Sequence, residues 1–395
     1  MTGLMPLDEA HARLIAALRP CAPETVPLAD AAGRVLAEPV QARRTQPPAD
    51  LSAMDGYAVR AADARAGAKL TLVDTIYAGQ MPDAPLQPGQ TARLFTGSPL
   101  PAGADAVLIQ EQAEAAEDRV HVHADVAPGQ HVRRAGSDFF DRAELIAAGT
   151  RLSPFHLSLA AAGDCAGLCV HRRPTVMLFS TGDELVAPGM PRRPGQIVDA
   201  VAPGLTALAA QAGARPHHLG IFPDDPAALE GLMPGLSGAD MIVSVGGASV
   251  GDKDLIRTAL PGLTLDFWRL AMRPGKPLLF GRLNGVPFLG LPGNPVSALV
   301  CAWLLLMPAL RRLGGQDGAM TTPTDLPLAQ AIPANGSRRD FQRAQIIGGR
   351  VKPFAVQDSA MLTPLAAADA LLMRPERDGA RTAGENVPVF PLKWT

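Results

Sequence analysis

The sequence has little of the chemistry that marks several common protein classes. Its 395 residues include four cysteines, and no two of them form a Cys-x-x-Cys pair. This scarcity argues against a disulfide scaffold or a cysteine zinc site, so we expect reduced thiols in a cytoplasmic protein. Asp8 and Glu9 stand where a secretory signal would carry basic residues, and no export is predicted.

An excess of positive charge is also missing. Lys and Arg total 36 against 38 Asp and Glu, which gives a net charge of −2. No basic field is available for nucleic acid and no polybasic run for a membrane surface, so neither is expected as a partner. The longest apolar run, residues 298–310, contains Pro308 and is shorter than the ~20 residues of a membrane span. It predicts a buried helix.

Glycine and proline are abundant in the sequence, whereas aromatic residues are few. The chain has 39 Gly and 38 Pro, which is typical of many turns and short strands. Its length predicts two to four domains. Between residues 174 and 313, apolar strand patterns alternate with helical ones, which predicts a doubly wound sheet. We therefore expect an α/β multidomain fold with a central, mostly parallel sheet and additional β-rich domains.

Polar motifs follow several of the predicted strands. Ser180–Glu184, Gly246–Asp254 and Pro292–Ser297 each lie at a strand's carboxyl end, where ligands bind in such sheets. The carboxylate pairs 183/184, 224/225 and 252/254 suit Mg²⁺. Predicted helix N-termini at Asp254 and Pro295 suit phosphate, although Asp254 and Asn294 also fit a purely capping role.

Two further segments carry charge in a suggestive pattern. Arg269 and Arg273 are expected on one face of a strand, followed by Lys276 at a Pro-Gly turn, and such a set suits an anionic ligand. The same arginines could instead pair with nearby acids. Near the N-terminus, the Asp-Gly turn within Ser52–Val59 holds out the carboxylate of Asp55. Alone, that turn also fits an ordinary hairpin.

In this order and at these spacings, the motifs resemble the molybdopterin molybdenumtransferase family, from about residue 5 to the C-terminus. The resemblance implies molybdenum insertion into adenylylated molybdopterin with Mg²⁺-dependent AMP release, and molybdate as a substrate. It also implies a homodimer with a cleft shared between subunits, with the molybdopterin adenylyltransferase as a further partner.

The resemblance also assigns roles to individual residues. The catalytic residues it implies are Asp55, Glu184, Asp254 and Lys276. The substrate-binding residues it implies are Thr96, Asp138, Asp224, Ser249, Arg269, Arg273, Asn294, Arg343 and Ser359. The metal ligands it implies are Glu184, Asp224 and Asp254.

Four domains are predicted for such a chain. They are a mixed linking domain (21–46 and 136–173), a β-rich domain carrying Asp55 (47–135), an α/β molybdopterin-binding domain (1–20 and 174–318) and a C-terminal β domain (319–395).

One segment departs from the family pattern. After Asp199 the family usually has Ser or Thr and then Asn, but this chain has Ala200 and Val201. The loss favours a second hypothesis, a non-catalytic paralogue that binds the pterin or its AMP form as a scaffold or carrier. The retained Asp55, Glu184, Asp254 and Lys276 favour the enzyme. A preference for tungstate over molybdate is not distinguished by the sequence.

Overall fold

The computed structural model describes residues 3–247, 256 and 260–392, and these residues form two compact units. The α/β unit comprises Met1–Glu24, Gly33–Ala37 and Val170–Thr395, and the β unit comprises Thr25–Ala32 and Glu38–Cys169. The helices are α1 (Leu7–Ala16), α2 (Pro154–Ala162), α3 (Val201–Gln211), α4 (Pro226–Gly231), α5 (Pro295–Cys301), α6 (Met307–Leu313) and α7 (Leu362–Ala366). The four-domain division stays a prediction.

The first strands belong mainly to the β unit. They are β1 (Pro23–Pro27), β2 (Val40–Gln41), β3 (Leu51–Ser52), β4 (Gly56–Val59), β5 (Lys69–Ile76), β6 (Gln90–Leu94), β7 (Ala106–Ile109), β8 (Ala113–Ala116), β9 (Arg119–Val122), β10 (Val132–Arg133), β11 (Glu144–Ile146) and β12 (Gly167–His171). The main sheet has the order β7-β4-β6-β5-β9-β8, in which only β5 and β6 pair in parallel among the described strands. The expected β-rich character of this region is confirmed.

The remaining strands lie in the α/β unit. They are β13 (Thr175–Thr181), β14 (Leu185–Val186), β15 (Ile197–Val198), β16 (Arg215–Phe222), β17 (Met241–Val245), β18 (Leu263–Arg269), β19 (Met272–Arg273), β20 (Pro277–Leu283), β21 (Val286–Leu291), β22 (Thr324–Pro327), β23 (Arg339–Ile347), β24 (Arg350–Pro353), β25 (Ala370–Arg374) and β26 (Asn386–Pro391). The central sheet has the order β16-β13-β17-β21-β20-β18. The first four of these strands pair in parallel, and β20 and β18 are antiparallel additions at one edge.

Apolar side chains cover both faces of the central sheet. On β17, Met241 and Val243 belong to a core that includes α1, α3, α5 and α6. Ile242, between them, belongs to a second core with α4. Because neighbouring side chains of a strand point to opposite faces, this division requires layers on both sides of the sheet. The expected doubly wound α/β fold is confirmed.

The apolar run after Asn294 forms a helix within the larger core. Pro295–Leu313 is the one described helix long and apolar enough to cross a membrane, and 78% of its most apolar window is buried inside the protein. Helices α5 and α6 are joined by a π-helical turn, Ala302–Leu306. The buried helix predicted from the sequence is thus present, extended to Leu313.

One predicted strand is wrong. Arg269 and Arg273 do not share a strand, because β18 ends at Arg269. The N–H of Leu270 then donates to the carbonyl oxygen of Lys276, which closes the chain into a turn. Arg273 lies on β19, which pairs with β23 in the C-terminal sheet of order β19-β23-β25-β26-β22. The two arginines therefore belong to different sheets.

Candidate functional site

A pocket of 530 Å³ lies at the carboxyl ends of the parallel strands of the α/β unit. Thr181 ends β13, Gly246 and Gly247 follow β17, and Asn294 lies after β21, and all of them line the pocket. Glu184 and Asp224 line it as well. The strand-end motifs predicted to converge therefore do so, as far as their residues are described.

Glycine is required where the floor of this pocket turns. Gly246 has a φ of +87°, and a Cβ there would lie 2.5 Å from the carbonyl oxygen of Thr181. Any other residue would have to displace the end of β13, so glycine keeps the two strand ends in contact. Likewise, a Cβ on Gly182 would lie 2.7 Å from Oε2 of Glu184, because that carboxylate folds back over the turn.

Glu184 and Asp224 are both exposed at the pocket. Their two turns are connected, since the N–H of Asp224 donates to Oδ1 of Asp183 at 3.1 Å. The neighbouring Asp225, which the sequence paired with Asp224, caps α4 by accepting the N–H of Ala228 at 3.0 Å. The pair thus divides into one pocket carboxylate and one helix cap.

The metal site predicted at this edge is only partly described. Within residues 3–247, 256 and 260–392, no three His, Cys, Asp or Glu side chains are grouped closely enough to hold a metal ion. Glu184 and Asp224 remain, and Mg²⁺ in proteins is commonly bound by one or two carboxylates together with water and substrate phosphates. Glu184 and Asp224 therefore supply the ligand type that Mg²⁺ uses. Asp254 and Ser249 lie outside the described residues.

A buried carboxylate shapes one wall of the pocket. Asp199 is 3% exposed and directly precedes Ala200 and Val201, which line the pocket with it. Its Oδ1 accepts the N–H groups of Val201 and Ala202 at 3.1 Å each, and its Oδ2 accepts the hydroxyl of Ser180 at 2.6 Å. Asp199 therefore caps α3 and ties it to the end of β13. This role of Ser180 was not indicated by its place in the strand-end motif.

Asn294 faces the pocket rather than capping its helix. It occupies the N-cap position of α5, but its side chain makes no capping hydrogen bond. The side-chain cap expected from the Asn-Pro pair is therefore wrong. Its carbonyl oxygen accepts the N–H of Ala298 at 2.9 Å, and Pro295 occupies the first turn, which begins the helix without that cap.

The predicted basic residues lie outside the lining of this pocket. Lys276 is exposed next to Pro277, which does line it. The guanidinium carbon of Arg269 lies 3.9 Å from the centroid of the Trp268 ring, and its Nε is buried without a hydrogen-bond partner. Arg273 is exposed on β19. Of these cations, Lys276 is the one adjacent in sequence to a lining residue.

Arg343 and Ser359 support the rim of the pocket. Arg343 is 1% exposed, and burial lowers the pKa of its guanidinium. Its Nη2 donates to the carbonyl oxygens of Val356 and Asp358. The carbonyl oxygen of Ser359 accepts the N–H of Val296 in the first turn of α5. These contacts give Arg343 a bracing role, which the sequence did not indicate.

The remaining predicted residues lie in the β unit. Oδ1 of Asp55 accepts both the N–H of Thr96 at 2.7 Å and its hydroxyl at 2.8 Å. These hydrogen bonds, from the backbone first and then the side chain, lower the pKa of Asp55 from its usual value, so the carboxylate stays ionised at neutral pH. Asp138 is exposed, and its N–H donates to the carbonyl oxygen of Gln46.

Fold and pocket together define an α/β protein of the doubly wound class, with a pocket at the sheet edge where such proteins bind small molecules. Comparison with known families gives three matches along the chain. The MoeA N-terminal region (domain I and II) matches residues 5–163, a "probable molybdopterin binding domain" matches residues 177–312, and the MoeA C-terminal region (domain IV) matches residues 325–392.

Individual relatives agree with these matches. A molybdopterin molybdenumtransferase of Nostoc sp. is 42% identical over 74% of this chain and 70% of its own length. The molybdopterin molybdenumtransferase of Haemophilus influenzae is 33% identical over 98% of this chain and 99% of its own length. The crystal structure of a molybdopterin biosynthesis MoeA protein from Pyrococcus horikoshii superimposes with a TM-score of 0.88 at 29% identity and covers 100% of both chains.

The chain belongs to the molybdopterin molybdenumtransferase family. It is a transferase with a role in molybdenum cofactor biosynthesis.

Proposed function

We propose that this chain inserts molybdenum from molybdate into adenylylated molybdopterin, in a Mg²⁺-dependent reaction that releases AMP. The observation that carries the proposal is the strand-end pocket, which Glu184 and Asp224 line together with Asn294 and Pro295 at the start of a long buried helix. The names of the relatives and of the matched domain support molybdopterin and molybdate as its substrates. The volume of 530 Å³ is within the range of small-molecule sites.

The pocket residues have different proposed roles, which follow from their chemistry. Glu184 and Asp224 would hold Mg²⁺, which when bound neutralises negative charge on phosphate oxygens. The start of α5 lines the pocket through Asn294 and Pro295, and the positive end of the helix dipole there suits a phosphate. The Asn294 side chain, free of a capping role, can orient the substrate by hydrogen bonds. Attack of a water oxygen on the adenylyl phosphorus, with loss of a proton, breaks the phosphoanhydride P–O bond, which releases AMP and leaves the other phosphate on the pterin.

Dependence on the metal tests this proposal. AMP release from adenylylated molybdopterin and molybdate should stop when EDTA is added and return with excess Mg²⁺. AMP release at an unchanged rate in EDTA would contradict the metal's proposed part.

A non-catalytic carrier of the pterin or its AMP form is the second candidate, and Ala200 with Val201 favours it. Both residues line the pocket without offering a polar side chain. A carrier would bind adenylylated molybdopterin without releasing AMP when molybdate and Mg²⁺ are present, which separates the two candidates.

Restoring a hydroxyl at position 200 should tighten binding of the adenylylated pterin. Ala200 is exposed, so Ala200→Ser adds a pocket hydroxyl without disturbing the core. One added hydrogen bond predicts a gain on the order of 1 kcal/mol, about fivefold in Kd, by calorimetric titration. Val201 is 4% exposed and packed in the main core, so Val201→Asn should instead lower stability by about 1–3 kcal/mol. Equal affinity for Ala200→Ser and the wild type would show that the ligand does not reach this wall.

We also propose that the protein is a homodimer and that it receives its substrate from the molybdopterin adenylyltransferase. Light scattering should give twice the 41.2 kDa mass of one chain. A single-chain mass that persists at micromolar concentration would contradict the dimer.

A further inference from the structure

A row of rings and one guanidinium covers part of one face of the main sheet in the β unit. Tyr57 on β4 lies opposite Arg93 on β6, and Phe95 follows two residues later on the same face. The guanidinium carbon of Arg93 lies 4.8 Å from the centroid of the Tyr57 ring and 5.3 Å from that of Phe95. Phe95 then stacks on Tyr77, with centroids 5.0 Å apart and ring planes 9° apart.

The row ends in solvent. Tyr57 is buried at one end, whereas Tyr77 is 52% exposed at the other. Phe95 covers one face of the Tyr77 ring, so the exposed part of Tyr77 includes surface that a further flat ring could cover. The chain has only two tyrosines, and both belong to this row.

Charged groups of both signs accompany the rings. Thr96, next to Phe95, holds the Asp55 carboxylate through two hydrogen bonds to the same oxygen, Oδ1. Arg93 donates to Oε1 of Gln110 at 2.7 Å, which fixes the guanidinium between the two rings that flank it. The surface thus combines an ionised acceptor, a fixed cation and a half-exposed ring.

We propose that this row is a binding subsite for a planar nitrogen heterocycle that carries a phosphate ester. The heterocycle stacks on Tyr77, since such rings stack well on aromatic side chains. Asp55 accepts a ring N–H or amino group, and Arg93 supplies positive charge for the phosphate. An aliphatic ligand would leave the ring stack and the carboxylate unused. This inference deepens the proposed function, because adenylylated molybdopterin carries two such rings, but its test requires no turnover.

Substitution of Tyr77 tests the subsite. The full-length protein is titrated calorimetrically with AMP and, separately, with 6-hydroxymethylpterin phosphate, so that the two arms distinguish a purine from a pterin. Tyr77→Leu keeps an apolar side chain but removes the stacking ring, and should weaken binding of one of the two probes about tenfold or more. Tyr77→Trp should restore wild-type affinity or improve it.

Phe155 provides a matched control in the same unit. It is 85% exposed on α2 and does not belong to the row, so Phe155→Leu should leave both affinities unchanged. Unchanged affinity of Tyr77→Leu for both probes would overturn the subsite, and so would absence of binding by the wild type up to millimolar concentration. AMP release is measured separately on the same proteins. If the wild type releases no AMP but its Kd still depends on Tyr77, the proposed reaction fails and the subsite stands.

Discussion

Replacing Glu184 by glutamine is expected to reduce Mg²⁺-dependent AMP release by about 100-fold or more while the fold stays intact. The carboxylate is exposed at the strand-end pocket, so the substitution removes charge without disturbing a core. Loss of a group that stabilises charge in a transition state commonly costs two to three orders of magnitude in kcat. The measurement is steady-state AMP release at saturating Mg²⁺, accompanied by thermal unfolding of the same variant.

Glu230 offers a control for this substitution. It is an exposed glutamate on α4 and does not line the pocket, so Glu230→Gln should keep the wild-type rate. Near wild-type turnover by Glu184→Gln would show that the pocket carboxylate is not part of the reaction. A large fall in the thermal midpoint of Glu184→Gln would instead assign Glu184 a structural role.

Asp199→Ala is expected to lower both stability and activity. The substitution leaves the Ser180 hydroxyl and the first N–H groups of α3 without their buried acceptor, at a cost of about 2–4 kcal/mol of unfolding free energy. Because Ala200 and Val201 follow directly and line the pocket, a shifted helix start should also weaken substrate binding. Urea denaturation measures the first effect, and calorimetric titration with adenylylated molybdopterin measures the second.

Asp199→Asn separates capping from charge. An asparagine keeps one acceptor oxygen for the helix N–H groups, and the Ser180 hydroxyl can rotate to accept from the amide. The Asp199→Asn variant should therefore lose less stability than the Asp199→Ala variant. If Asp199→Ala stays within about 0.5 kcal/mol of the wild type, the cap does not hold this wall in place.

The pattern of strands and glycine turns was sufficient to predict the pocket's position. Strand-end placement of Glu184, Gly246 and Asn294 follows from chain order alone, because parallel strands all end at the same edge of a sheet. The partners of Asp199 were not predictable, since the hydroxyl of Ser180 reaches it only after β13 and α3 have packed together. Side-chain contacts of this kind depend on tertiary packing.

The separation of Arg269 from Arg273 shows a different limit. Four-residue spacing predicted one strand, but the hydrogen bond from Leu270 to Lys276 turns the chain between the two arginines. The ring row in the β unit could have been predicted in part, because Arg93 and Phe95 are two residues apart and so share one face of a strand. Its continuation to Tyr77 depends on how the strand ends meet, which the sequence does not specify.

The most direct test of the central claim is a single reaction with purified protein, adenylylated molybdopterin, molybdate and Mg²⁺. AMP and molybdenum cofactor are measured together, the latter by reconstitution of a cofactor-free molybdoenzyme. Molybdenum insertion coupled to phosphoanhydride cleavage predicts that both products form in a one-to-one ratio and that both are lost in Glu184→Gln. Binding of the adenylylated pterin without AMP release, or AMP release without cofactor, would contradict the account.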